Sequence, residues 1–127
     1  MKTTRFISVI VTTIVLSTVA PALSSSASAA VSPSKSLSQC DAGYLCIWSG
    51  TNYSGSFQRF SATGSYRPIS LYAVNSIYNH RSARAFLHQD AAGNGYYTCL
   101  NPGQKIADLV GWRESSQAVY LSTVAAC

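Results

Sequence analysis

Carboxylates are scarce in this sequence. Asp41, Asp90, Asp108 and Glu114 are its four acidic side chains in 127 residues. They fall in separate turn-rich stretches, so nothing pairs them across one substrate as a glycosidase requires. Histidine is scarcer still, with His80 and His88 alone. His88 and Asp90 would share one face of a strand, but no G-x-S-x-G element accompanies them. The plain reading is a strand residue followed by a turn aspartate. C-x-x-C spacing is missing, which argues against dithiol redox chemistry and against a zinc site. A basic stripe is missing too. Arg59, Arg67, Arg81, Arg84 and Arg113 are scattered, so no nucleic-acid partner is expected. Together these absences point away from an enzyme and from any cofactor.

Long apolar runs are also missing, save one at the start. Lys2 and Arg5 precede an uncharged stretch from Phe6 to Val19, and small residues follow, ending Ala27-Ser28-Ala29. That order is the layout of a secretory signal, expected over residues 1–29 with cleavage after Ala29 or Ala30. The run is short of the ~20 apolar residues of a membrane span. No membrane span is expected in the mature chain, which is read as secreted, extracellular and monomeric. Setting Lys2 and Arg5 aside leaves seven basic side chains against four acidic ones, a mild positive balance.

What remains is about a hundred residues, enough for one domain with a thin core. Small exported domains often add disulfides, and all four cysteines lie in this part. Four cysteines allow three pairings. Cys40 and Cys46 enclose a five-residue loop containing Gly43, which permits a tight closure. Cys99–Cys127 is then the second expected bridge, tying down the C-terminal residue. Residues 30–39 read as a flexible polar lead-in. From Cys40 onward, short strand-like runs alternate with turn chemistry. The runs are Tyr44–Ser49, Ser56–Phe60, Ser76–Tyr78, Arg84–Gln89, Tyr96–Leu100 and Gln117–Thr123. Thr63-Gly64-Ser65 and Pro68 interrupt the pattern, and Gln104–Val110 could form one or two helical turns. Asp90–Gly95 is a strong loop signal. The expected class is all-β, an antiparallel sandwich or barrel.

An internal repeat sharpens this. Trp48-x4-Tyr53-x-Gly55 is echoed by Phe86-x4-Ala91-x-Gly93, and each is followed by a serine, Ser76 and then Ser115 or Ser116. A period near forty residues marks a duplicated supersecondary unit, with units of about 40–80 and 81–127. In each unit the ring covers a folded hairpin and the glycine takes a conformation that side chains disfavour. The later serine would hydrogen-bond the hairpin loop.

Trp48-x4-Tyr53-x-Gly55 with Ser76 resembles the Greek-key signature of the βγ-crystallins. The opening Cys40-Asp-Ala-Gly-Tyr-Leu-Cys46-Ile-Trp48 resembles the start of small secreted actinobacterial proteins of the Streptomyces metalloproteinase inhibitor family. The resemblance implies a βγ-crystallin-like sandwich of two Greek-key units over residues 40–127, stapled by disulfides. It also implies inhibition of an extracellular proteinase. No inhibitory motif is matched residue by residue, and the rigid loops Asp41–Tyr44 and Asn101–Lys105 are the candidates for contact. Calcium-binding crystallin units carry a leading acidic or amide pair that Leu71–Ser76 and Gly111–Ser116 both lack, leaving Glu114, Ser115 and Ser116 as weak ligands. No metal is therefore expected. The alternative function is a toxin-like module that engages cell-wall polymers or membranes through exposed rings such as Tyr66, Tyr72, Tyr97 and Trp112.

Overall fold

Alternation along the strands builds the architecture. In the first strand, β1 (Tyr44–Gly50), Leu45 and Ile47 point into one apolar cluster, while Tyr44, Cys46 and Trp48 point into another. A period of two is what a pleated strand requires when both of its faces are covered. The computed structural model describes residues 36–127. The expected signal segment, 1–29, and the first part of the lead-in lie outside the described residues.

Seven further strands follow: β2 (Ser54–Phe60), β3 (Tyr66–Pro68), β4 (Ser76–His80), β5 (Ala85–His88), β6 (Tyr97–Leu100), β7 (Lys105–Ile106) and β8 (Ala118–Leu121). They form two four-stranded sheets, in the orders β2-β1-β4-β7 and β3-β8-β5-β6. Every pairing is antiparallel. The inner faces meet over one core, to which the first sheet gives Leu45, Ile47, Phe60 and Ile77 and the second gives Ala85, Leu87, Leu100, Val119 and Leu121. Each fully buried Leu or Ile contributes about 2 kcal/mol. The all-β sandwich expected from the sequence is the fold observed.

The two orders are related by a twofold pattern: replacing each strand by the one four places along the chain converts one sheet into the other. The duplication is therefore real, but a sheet is not a unit. Each unit lends its third strand, β3 or β7, to the opposite sheet. The strand pattern of the sequence suggested neither exchange. Pro68 was expected only as a break, yet it ends an edge strand, Tyr66–Pro68, where a proline is tolerated because one side of the ladder is open. Gln104–Val110 could have formed one or two helical turns by its sequence. Instead Lys105 and Ile106 pair with Tyr78 and Ile77, because Ile106 gains more by packing on the core.

The lead-in also departs from expectation at its end. Leu37–Gln39 form one turn of 3-10 helix, and Leu37 packs against Cys40, Cys46, Trp48 and Tyr78 on the outer face of the first sheet. The Cys40–Cys46 bridge ties this cover to β1, and Cys99–Cys127 ties Cys127 to β6. Among the described residues, no helix is long and apolar enough to cross a membrane.

Candidate functional site

Two exposed turns flank the C-terminal end of β4. Asp41–Tyr44 closes with Tyr44 N donating to Asp41 O at 3.3 Å, and Gly43 takes φ +93° at its third position. Asn101–Gln104 closes with Gln104 N donating to Asn101 O at 3.1 Å, with Pro102 second and Gly103, φ +75°, third. Proline then glycine in those places is the type II turn signature. Consecutive carbonyls of β4 hold the turns from either side: Gly103 N donates to Asn79 O and Gly43 N to His80 O, both at 2.7 Å.

Each turn is braced further. Asn79 is fully buried, and its Nδ2 donates to Leu100 O and Asn101 O at 3.1 Å and to Ala83 O at 3.0 Å. Asn101 Oδ1 accepts from the amide of Cys127 at 2.9 Å, and Gln104 Oε1 accepts from Asn101 N at 2.9 Å. Beside the other turn, His80 Nδ1 lies 2.7 Å from Cys40 O, and Arg59 pairs with Asp41 at 2.8 Å. The residues at the tips, Asp41–Gly43 and Asn101–Gly103, are all exposed. Both candidate loops are thus rigid protrusions next to a disulfide, at one end of the molecule.

The first hairpin corner has the geometry its motif calls for. Trp48 is buried with the edge of Tyr53 against it, ring centroids 5.4 Å apart at 78°. Ser76 Oγ accepts from Tyr53 N at 3.0 Å and donates to Gly50 O at 2.7 Å. Gly55 has φ +82°, and Asn52 and Tyr53 are also left-handed. Burial raises the Tyr53 phenol above its ordinary pKa.

The second corner is registered two residues later than the sequence repeat suggests. Trp48 lies opposite Phe57 and Ser76, whereas His88 lies opposite Tyr97 and Ala118. Asn75 N donates to Trp48 O, and Gln117 N to His88 O, each at 2.9 Å. The equivalents of Trp48, Tyr53, Gly55 and Ser76 are therefore His88, Gly93, Gly95 and Ala118, and not Phe86, Ala91, Gly93 and Ser115. Phe86 shares the strand face of His88, so a period of two cannot tell them apart. Ser115 makes different bonds, accepting from Gln89 Nε2 at 3.1 Å and donating to Gly111 O at 3.3 Å.

The profile of peptidase inhibitor family I36 matches residues 33–100, just over half the chain. The chain belongs to that family. Its fold has solved likenesses. One structure, described under the evolution of the eye lens βγ-crystallin domain fold, is 16% identical and covers 66% of this chain and 89% of its own, with a TM-score of 0.55. A βγ-crystallin from Ciona intestinalis is 16% identical over 63% of this chain and all of its own, with a TM-score of 0.48. No curated protein matches. At that identity the first likeness speaks for the fold. The family speaks for a peptidase inhibitor, a protein whose partner is a proteinase, and the two bridges are of the kind found in extracellular proteins.

In this I36 family member two of the three weak calcium candidates, the serines, are hydrogen-bonded within the chain. Ser116 Oγ donates to Trp112 O at 2.7 Å, Ser115 bonds as above, and Glu114 is exposed beside an Arg113–Asp108 pair. Among the described residues, no three His, Cys, Asp or Glu side chains gather into a cluster. His88 is buried, and desolvation lowers its pKa despite the charge of Asp90. Asp90 Oδ1 is occupied by the amides of Ala92 at 2.8 Å and Asn94 at 3.3 Å. Trp112 packs against the core and is not a free surface ring. Asn79 went unnoticed in the sequence, since an isolated asparagine in a short strand carries no signal for what it braces.

Proposed function

We propose that this I36 protein inhibits an extracellular proteinase by presenting the two stapled turns beside β4, with Asn101–Lys105 as the leading contact and Asp41–Tyr44 beside it. The observation that carries this reading is the bracing of Asn101–Gln104. Its tip is exposed, yet its carbonyls, amides and one side chain are fixed by Asn79, Gln104 and Cys127. A loop already held in one conformation loses little entropy when it docks, so most of its contact energy appears as affinity. The same bracing would hold the two ends together were the loop cut. A secreted metalloproteinase is the target class favoured by the likeness of the Cys40–Trp48 opening to the Streptomyces inhibitors. Lys105, exposed at the start of β7 with its ammonium 4.9 Å from the Tyr78 ring centre, offers a cation to an acidic subsite.

The test is a titration of the purified, oxidised protein into a panel of secreted metalloproteinases and subtilisin-like enzymes. The expected result is a stoichiometric loss of activity in at least one metalloproteinase, weakened tenfold or more by Pro102→Gly with Lys105→Glu. A flat response across the panel would overturn the reading.

A further inference from the structure

We propose that the outer face of the second sheet is a docking site for a protein segment that carries an aliphatic side chain and, four residues later, a carboxylate. The duplicated fold contains its own occupied comparison. On the first sheet, Cys46, Trp48 and Tyr78 are buried beneath residues 37–41. Leu37 packs on the rings, Gln39 Oε1 accepts from Trp48 Nε1 at 3.4 Å, and Asp41 pairs at 2.8 Å with Arg59, whose guanidinium lies 4.5 Å from the Tyr44 ring centre.

Strand pairing gives the matching places on the second sheet. His88, Tyr97 and the Phe86–Tyr120 pair correspond to Trp48, Phe57 and the Cys46–Tyr78 pair. The C-terminal tail reaches this face, bridged to Cys99 on the edge strand β6 and accepting at Ala126 O from Arg84 Nη1 at 3.0 Å, but it leaves Tyr97 and Tyr66 exposed. Tyr97 is 60% exposed where Phe57 is half-buried, Tyr120 is half-buried where Tyr78 is 9% exposed, and Tyr66 beside them is 42% exposed. With Phe86, His88, Gly93 and Tyr120 these tyrosines line an open cleft of about 270 Å³. That volume is small for a drug-sized ligand and suits one side chain.

Charge and polarity repeat the comparison. Arg84 lies 5.3 Å over the Phe86 ring with Nη1 donating to Ala126 O at 3.0 Å, and among the described residues it has no carboxylate partner. It therefore complements an acidic residue in the segment that docks. His88, 5% exposed in the floor of the cleft, has an Nδ1 without a hydrogen-bond partner. Tyrosine and arginine around a small apolar centre are the residues enriched where protein partners bind most tightly.

The cover of the first sheet supplies the probe, the acetylated and amidated peptide of residues 36–41 bearing Cys40→Ser. It is titrated to about 10 mM into the intact, oxidised protein while ring resonances are followed by NMR, since a contact of this size has a Kd on the order of 1 mM. The expected result is saturable shifts at Tyr66, Phe86, Tyr97 and Tyr120. They should weaken about tenfold when the peptide carries Leu37→Ser or Asp41→Asn, and vanish in the Tyr97→Ala protein. Four outcomes would overturn the proposal: no shifts, shifts elsewhere on the protein, equal shifts from the altered peptides, or shifts only when an N-acetylglucosamine trimer replaces the peptide. The proteinase panel tests the inhibitor reading separately, and either can fail alone.

Discussion

The ring of Tyr66, from the first unit, lies against the backbone of Gly93 in the second, so closely that a Cβ on Gly93 would overlap it. Tyr66 meets His88 edge-on, with centroids 5.0 Å apart at 85°, much as Tyr53 meets Trp48 at 5.4 Å and 78°. Gly93 stands where the first unit has Tyr53. The ring missing from the second corner is thus supplied across the sandwich by the exchanged strand β3. One contact closes the corner and fixes where β3 sits.

Gly93→Ala should therefore destabilise the fold by about 2 kcal/mol or more, since it adds left-handed strain to a collision with Tyr66. In a Tyr66→Ala background only the strain remains, so the cycle should show a coupling of about 1 kcal/mol. Urea unfolding of the four proteins measures it. Strict additivity would mean that Tyr66 does not close this corner.

The serines of the two repeats should behave unequally. Ser76 is fully buried and joins two backbone groups of the first hairpin. Ser76→Ala should cost about 2 kcal/mol by leaving them unpaired. Ser115→Ala removes one long bond to Gly111 and one from Gln89, both near the surface, and should stay within about 0.5 kcal/mol. Thermal melts of both variants decide it.

This contrast shows what the sequence could carry. The first corner was legible because Trp48, Tyr53, Gly55 and Ser76 each have a distinctive side chain at a fixed spacing. The second was legible only as a blurred echo. Its corner ring comes from Tyr66, 27 positions before Gly93, and its strand aromatic is a histidine flanked two places earlier by Phe86. Local spacing cannot report a part that arrives from another unit. Strand exchange was hidden for the same reason, since β3 and β7 are only three and two residues long and offer almost no period to read. The disulfide pairing was legible because Cys40 and Cys46 enclose a loop that closes without help. The bracing by Asn79 depends on three carbonyls that belong to other elements, and nothing near Asn79 in the chain announces them.

Acid should weaken the fold through His88. Burial depresses its pKa in the native state, so the unfolded chain takes up a proton first as pH falls. Stability contributed by the neutral ring is complete above the ordinary imidazole value of 6.5 and is lost as pH falls from there toward the lower native pKa. Urea midpoints from pH 8 to pH 5 should drop for the native sequence. The part of that slope due to His88 should disappear in His88→Phe. An unchanged slope in that variant would place the acid sensitivity elsewhere.

The two bridges should differ in weight. Cys99–Cys127 spans 28 positions and Cys40–Cys46 spans six. By chain entropy, removing the longer one with paired Cys→Ser changes should cost about 3.5 kcal/mol and the shorter about 2.5 kcal/mol. The shorter bridge also anchors Leu37 over Trp48, so its loss should additionally expose the indole. Tryptophan fluorescence should shift to longer wavelength in that variant and stay put in the other. Equal spectra would show that Leu37–Gln39 keep their seat without the covalent tie.

If the Asn101–Gln104 turn is the proteinase contact proposed above, Asn79 joins stability to inhibition. Its side-chain amide donates to three carbonyls from a fully buried position, two of them in the chain entering the Asn101–Gln104 turn. Asn79→Ala leaves those carbonyls without a donor and should cost about 3 kcal/mol, an amount the intact disulfides should let the fold survive. The consequence for function is larger than that for folding. A turn freed from its brace must be ordered again on docking, so the inhibition constant should rise at least tenfold under conditions where circular dichroism shows the protein still folded. The loosened turn should also become a substrate, and mass spectrometry after incubation with the target proteinase should find cleavage between residues 101 and 105. A folded Asn79→Ala protein that inhibits as well as the native one, and resists cleavage there, would move the proteinase contact away from this turn.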